Sequence, residues 1–268
     1  MVMDRLSGLP ELTVHGLLRA RAAERGNDPF LMFEGQVLGY VDLLEASERL
    51  AGGLKALGVG RGDKVAIMMN NRPEFLIGWF ALSMLGAVEV PINTAHRGDL
   101  LHYMLEQADC AVLIVEGQLC NRLGDVLPGL GGLRHVVLLD GGQPLACAQQ
   151  QHHWDVVAVS ESPSEWEALP PSAPVAVMFT SGTTGPSKGA VLPQKYVLVQ
   201  GAIIAEACQY DAADCLYNAL PLFHGNAQFL STIPALLSGA RMVLARKFSA
   251  SAFWEEVARH NCTAFNYI

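Results

Sequence analysis

The sequence predicts an α/β fold built on layered parallel sheet, and two features carry that prediction. Short, wholly apolar runs rich in β-branched residues recur along the chain, as in strands buried on both faces. Between them lie stretches of helical periodicity, long enough to return the chain for parallel pairing by right-handed crossovers.

Leu43, Leu50, Leu54 and Leu57, widened by Leu44 and Ala51, mark one apolar helix face, and Gly58 ends that helix. A turn at Gly60–Asp63 leads into a strand, Val65–Met69. Asn71 and Pro73 open the next helix, which stops at Gly86. Its apolar run, Phe75–Val88, lies between Glu74 and Glu89 and is shorter than the ~20 residues of a membrane span, so it reads as a buried helix. Strands follow at Ala87–Ile92, Cys110–Val115 and His135–Leu139, with helices at Asp99–Gln107 and Leu119–Leu127. Residues 141–174, with Gly141–Gly142, a Gln/His-rich patch and Pro170–Pro171, read as an irregular connector. Beyond it come strands at Val175–Phe179, Cys215–Ala219, Arg241–Leu244 and Thr263–Ile268. The helices there are Lys195–Cys208, Gln228–Leu237 with Pro234 inside it, and Ser249–His260. The expected division is a first α/β subdomain with its connector over 1–174 and a second over 175–268.

Composition narrows the function classes. A net charge of −8 disfavours a nucleic-acid partner. Six cysteines without a C-x-x-C pair fit a reducing, cytoplasmic setting with neither disulfide framework nor zinc site. The N-terminal 25 residues lack the apolar core of a signal peptide, and no transmembrane segment is expected. His152 and His153 are adjacent, which rarely converges two rings on one ion, so they read as a solvated loop and no metal ligands are assigned. The charged fraction is only 16 % against 51 % hydrophobic, a lean surface for a protein that stays soluble alone.

The chemistry concentrates in Thr180-Ser181-Gly182-Thr183-Thr184-Gly185-Pro186-Ser187-Lys188-Gly189, directly after the strand Val175–Phe179. Its glycines let the backbone approach an anion without Cβ clashes. Its hydroxyls and amides offer many donors, and Lys188 supplies a point charge. Polyphosphate is the expected ligand; a plain polar surface hairpin would rarely spend glycine and hydroxyls so densely. The spelling is not a Walker A loop, because Lys188 is preceded by Ser187 and followed by Gly189, between two strand-like runs. Gly58–Asp63 fails the dinucleotide pattern, since it follows a helix and ends in Asp63.

Phe179–Gly189 resembles the signature loop of the adenylate-forming superfamily, which comprises acyl-CoA synthetases, luciferases and peptide-synthetase adenylation domains. The resemblance extends through Leu38-Gly-Tyr-Val-Asp-Leu43, Leu57–Ile67 and Leu85–Asn93. Leu220-Pro-Leu-Phe-His-Gly-Asn226 is similar to the segment that lines the family's acyl pocket. The chain departs from the pattern in carrying Pro186 one place early, with Ser187 before the lysine, and Ala173–Pro174 where an acidic residue is usual.

What the resemblance implies is a ligase that uses ATP, Mg2+ and CoA. A carboxylic-acid substrate attacks the α-phosphorus, giving an acyl-adenylate and pyrophosphate, and CoA then displaces AMP. Thr180, Ser181, Gly182, Thr183, Thr184 and Gly185 would cradle the β/γ-phosphates. Lys188 would be the catalytic residue that offsets charge on the leaving pyrophosphate, and Thr183 or Thr184 would reach the magnesium shell. Phe223 and His224 would wall the acyl pocket; the residues alone leave His224 equally open to being a core histidine bonded to a backbone carbonyl. The Pro221–Gln228 spelling leans to fatty-acid or carnitine-type CoA ligases. The family's adenine, ribose and hinge segments, and its small lysine-bearing C-terminal domain, have no counterpart here. The expectation is therefore the N-terminal region of such an enzyme, truncated before that domain and inactive alone, with a non-catalytic nucleotide-binding scaffold as the alternative. An uncovered final strand would favour self-association into a homo-oligomer.

Overall fold

Alternating apolar runs and amphipathic stretches become, in chain order, α1 (Val2–Ser7), α2 (Val14–Arg25), β1 (Pro29–Phe33), β2 (Gln36–Gly39) and α3 (Tyr40–Ala56). Next come β3 (Lys64–Met68), α4 (Pro73–Leu85), β4 (Val88–Pro91), α5 (Gly98–Gln107), β5 (Cys110–Glu116) and β6 (His135–Leu139). They are followed by β7 (Gln150–His153), α6 (Trp154–Val157), β8 (Pro174–Thr180), β9 (Lys188–Pro193), α7 (Gln194–Ala207) and β10 (Cys215–Asn218). The last are α8 (Gly225–Ala227), α9 (Ile233–Ser238), β11 (Arg241–Leu244), α10 (Phe253–Arg259) and β12 (Ala264–Phe265). The computed structural model describes residues 2–141, 145–161, 163, 166–180 and 187–268.

The described strands form two sheets. One has the order β7-β6-β5-β3-β4-β8-β9, parallel except for the β8–β9 hairpin. The other has the order β12-β10-β11-β1-β2, parallel except for β1–β2. Residue 174 is crossed in both directions, since β8 and β9 join the sheet of β3–β6 while β1 and β2 join that of β10 and β11.

Alternation of side chains across each strand dictates the layering. One face of β3 (Val65, Ile67) and the inward residues of β10 and β11 (Leu216, Met242) share one core with α2, α3, α4, α7 and α9, which fill the space between the sheets. The opposite face of β3 (Ala66, Met68) packs with α5 and the segment after β5. Cys215, Tyr217 and Val243 meet Phe253 of α10 on the outer face of the second sheet. Helix α4 lies deepest, with Pro73 and Phe75 through Met84 all buried. Its sequence is apolar all round because both sheets need it. Gly86 closes it at φ +65°, a conformation that favours glycine.

The sequence expectation assigns no element before residue 40, where α1, α2, β1 and β2 lie, and five of the segments it does assign differ in the structure. The 141–174 connector contains β7 and α6, and it packs closely on α3. A Cβ on Gly53 would lie 1.9 Å from Val157 O, and one on Gly52 2.1 Å from Glu161 O, so the Gly-Gly pair exists to admit this segment. His152 consequently lies in a strand, its Nε2 3.1 Å from His135 Nδ1. Leu119–Leu127 is a 3₁₀ turn, Gly117–Arg122, followed by further turns, because Asn121, Gly124 and Asp125 weaken a helix. The Gln228–Leu237 helix begins earlier, at Gly225, and passes through a π turn at Gln228–Thr232. Pro234 has no N–H to offer Leu230 O, which accepts instead from Asn266 Nδ2 at 2.6 Å. Residues 249–252 are turns before α10, and the last strand pairs only through Ala264 and Phe265.

A buried polar chain ties α2, α4 and α7 together. Gln194 Oε1 accepts from Val14 N (2.8 Å) and from Ser83 Oγ (3.2 Å), while His15 Nδ1 lies 3.0 Å from the same hydroxyl. Burial, helped by the charge of Arg19, lowers the His15 pKa to about 3; Glu11, 3.3 Å from Nε2, is too exposed to reverse this. His15 is thus neutral in the fold but titrates near 6.5 when unfolded, so its contribution is complete above that pH and is lost as pH falls towards 3. Between pH 7 and pH 5 the protein should lose about 2 kcal/mol through this group. Urea midpoints at the two pH values, compared with His15→Gln, measure it; an identical pH dependence in the variant would contradict the assignment.

Candidate active site

The carboxyl ends of β3, β4 and β8 point to one side of their sheet, where ligands collect in parallel α/β folds. A cleft of about 630 Å³ opens there. Its walls come from Pro91 at the end of β4 and Asn93 and His96 beyond it, from Met178, Phe179 and Thr180 of β8, and from Ser187 and Ala190 across the hairpin. Tyr196 of α7 and the segment carrying Phe223, His224 and Phe229 complete it.

The hairpin is what carries the glycine-rich loop. Thr180 pairs in register with Lys188, and Thr180 Oγ1 lies 3.4 Å from Lys188 O. Tyr103 Oη donates to Ser187 O at 3.0 Å, fixing the loop's far end to α5. Ser181, Gly182, Thr183, Thr184 and Gly185 lie outside the described residues. Lys188 is exposed at the mouth, not on the cleft wall, and forms no ion pair among the described residues. The described residues on either side, Thr180 and Lys188, are paired strand ends of the β8–β9 hairpin, so a hairpin and a ligand-holding segment do not exclude one another.

The segment bearing Phe223 and His224 is held by Asn71, a 4 % exposed residue between β3 and α4. Its Nδ2 donates to Leu220 O (3.0 Å) and Ala245 O (2.9 Å), and its Oδ1 accepts from Leu222 N (2.8 Å). His224 N donates to Pro221 O at 3.0 Å, making the turn that presents the two rings, whose centroids are 4.8 Å apart. The His224 ring is exposed to the cleft and has no hydrogen-bond partner among the described residues, which sets aside a histidine bonded to a core carbonyl.

His96 is a cleft residue that sequence reasoning missed. Burial, reinforced by the charge of His224, lowers its pKa, and burial lowers that of His224, so the cleft keeps two imidazoles neutral near pH 7. Its position just past a strand's carboxyl end was the available signal. Asn71 and Phe229 were missed as well. Gly225 allows Phe229 its place, since a Cβ there would meet the ring at 2.9 Å. Among the described residues no three His, Cys, Asp or Glu side chains converge as a metal site, and no helix is long and apolar enough to cross a membrane.

With this geometry, comparison with known proteins is informative. Residues 18–268 match the AMP-binding enzyme family. Among curated relatives, the medium/long-chain-fatty-acid–CoA ligase FadD6 of Mycobacterium tuberculosis is 33 % identical over 92 % of this chain and 40 % of its own length. The crotonobetaine/carnitine–CoA ligase of Salmonella paratyphi C is 29 % identical over 89 % of this chain and 47 % of its own. The chain thus spans less than half the length of these relatives. A long-chain-fatty-acid-CoA ligase (FadD1) from Archaeoglobus fulgidus has the same fold, with a TM-score of 0.82 over 95 % of this chain and 51 % of that one, at 20 % identity. A mixed α/β fold with parallel sheets, a hydroxyl- and glycine-rich loop on a hairpin and a match over residues 18–268 agree: the chain belongs to the AMP-binding enzyme family.

Proposed function

We propose that this chain supplies the phosphate loop and the acid site of an ATP-dependent acid–CoA ligase. The observation that carries the reading is that the two ends of the glycine-rich loop, Thr180 and Ser187, share one cleft with Phe223 and His224. A triphosphate held by the loop and an acid lying against the two rings would meet there, which is the positioning such a reaction needs.

The first step forms a bond between a carboxylate oxygen and the α-phosphorus and breaks the bond from that phosphorus to the bridging oxygen of pyrophosphate. Loop donors and Lys188 stabilise the charge arriving on pyrophosphate. Lys188 suits this role because it stands exposed at the loop's end with no competing carboxylate among the described residues. Magnesium, when bound, screens the triphosphate. The hard hydroxyl oxygens of Thr183 and Thr184 are suitable ligands for it. In the second step the CoA sulfur attacks the acyl carbon, AMP leaves and the thiol proton is lost. Neutral His96 and His224 leave the acid's carboxylate without a fixed cationic partner in the cleft, so it remains a nucleophile. The apolar walls, Met178, Phe179, Leu192 and Phe229, suit an acid with a partly hydrocarbon body, as the fatty-acid and carnitine ligases among the relatives suggest. Six free thiols and the use of CoA support a cytoplasmic setting.

In the complete protein, Lys188→Ala should slow acid-dependent exchange of pyrophosphate into ATP by about 10²–10³, with little change in acid affinity. Near-normal exchange in that variant removes Lys188 from the mechanism. Shortening Phe223 or His224 should reorder acids by chain length and leave ATP affinity alone. A methylene in an apolar pocket is worth roughly 1–3 kcal/mol, which competitive exchange assays resolve readily. An unaltered acid ranking would instead make the pair structural.

A further inference from the structure

Behind the cleft lies a buried carboxyl that neither the fold nor the proposed reaction uses. Glu89 is central in β4, in register with Val65 on one side and Ala176 on the other, and is 0 % exposed. Side chains two apart on a strand share a face. Glu89 and Ala176 therefore lie one step deeper on the face that carries Pro91 and Met178, both walls of the cleft. Gln228, also 0 % exposed, stands beside the Glu89 carboxyl and immediately precedes Phe229, a third wall.

The polar atoms here are unmatched. Gln228 Nε2 is committed to Leu222 O at 2.7 Å, while Gln228 Oε1 and both Glu89 oxygens have no hydrogen-bond partner among the described residues. Burial raises the Glu89 pKa well above the ordinary carboxylate range, with Gln228 opposing it, which favours the protonated form. Even if that proton bridges to Gln228, one acceptor oxygen remains bare, and orphaned acceptors of this kind are costly without a purpose. They sit where the backbone adopts a π turn, a feature that frequently marks functional sites. The missing partner is a donor, and the cleft is the adjoining space from which one can come.

We propose that Glu89 and Gln228 form the far wall of the acid site, reached past the Phe229 ring, and that the acid accepted carries a hydrogen-bond donor at the end away from its carboxylate. This rests on the cleft being the acid site. Ala176, directly beside Glu89, carries only a methyl group, and the Phe229 ring, seated over Gly225 on the cleft wall, is the side chain that must give way. A straight alkyl chain of the same length would leave the acceptors unpaired and so bind more weakly.

The test is calorimetric titration of the 268-residue chain with straight-chain acids from butanoate to octanoate, each with and without a terminal hydroxyl. For the length that reaches Glu89, the hydroxy acid should bind about tenfold more tightly than its alkyl counterpart. Glu89→Leu should abolish or reverse that preference, and Glu89→Gln, which keeps an acceptor in place, should retain it. Should Glu89→Leu fail to fold by circular dichroism, Phe229→Ala takes its place: opening the way to an intact pair, it should preserve the preference and extend it to a longer acid. Binding of both series without a hydroxyl preference, or a preference that survives Glu89→Leu, overturns the inference while leaving the acid site standing. Failure of every acid to bind overturns the acid-site reading and this inference with it.

Discussion

Asn71 stands where β3 hands over to α4, and its amide makes the contact on which the site depends. Three backbone groups that follow strands of the other sheet, Leu220 O, Leu222 N and Ala245 O, are satisfied by this one side chain. Without it the buried Leu222 N would be left unpaired, at roughly 1–3 kcal/mol, and the part-buried Leu220 O and Ala245 O would turn to water. The clamp fixes the carboxyl ends of β10 and β11 against the end of β3, so the turn bearing Phe223 and His224 shares a cleft with the hairpin bearing the glycine-rich loop. Nearby charges reinforce the same junction. Arg72 bonds Glu74 and Asp140 and lies 3.6 Å from Glu116, while Arg246 pairs with both oxygens of Glu34 at 2.8 Å and lies 3.7 Å from Glu116. The outer, partly exposed pairs contribute little individually, but with the buried Arg72 and Glu116 at their centre they form a network that holds one register between sheets.

That junction explains why so apolar a helix as α4 is needed. Two sheets that both bury their inner faces require a shared filling, and α4 is buried around almost its whole circumference. The division of labour follows: the interior between the sheets is rigid and apolar, and the polar, reactive groups collect at the strand ends, where the backbone is free to turn.

The strands buried on both faces were legible because parallel pairing demands continuous apolar runs, as in Val65–Met68 and Cys110–Val115. Two helix ends were legible because a glycine takes positive φ there, at Gly58 and Gly86, whereas Gly26 and Gly239, which close α2 and α9 in the same way, were not read. What escaped was set by long-range partners. Strand β7 has no apolar run of its own and exists because β6 offers it an edge. In the π turn, the carbonyl of Leu230 is satisfied by Asn266, reaching back from 36 residues away. In the site, the loop announced itself by composition, and Phe223 and His224 by their likeness to a family segment. Asn71, His96 and Glu89 did not, since an asparagine clamp, a cleft histidine and an orphaned carboxyl look in sequence like a helix start, a loop residue and a strand's odd charge.

The central claim is that one cleft at this junction receives both the loop-bound phosphates and the acid. A crystal structure of the protein with a non-reactive acyl-adenylate analogue, an acyl sulfamoyl adenosine, addresses it directly. The account predicts the acyl group inside the cleft against Phe223, His224 and Phe229, with the sulfamoyl group at the β8–β9 hairpin near Thr180. An acyl group lodged anywhere else on the molecule, with the cleft left empty, would contradict it.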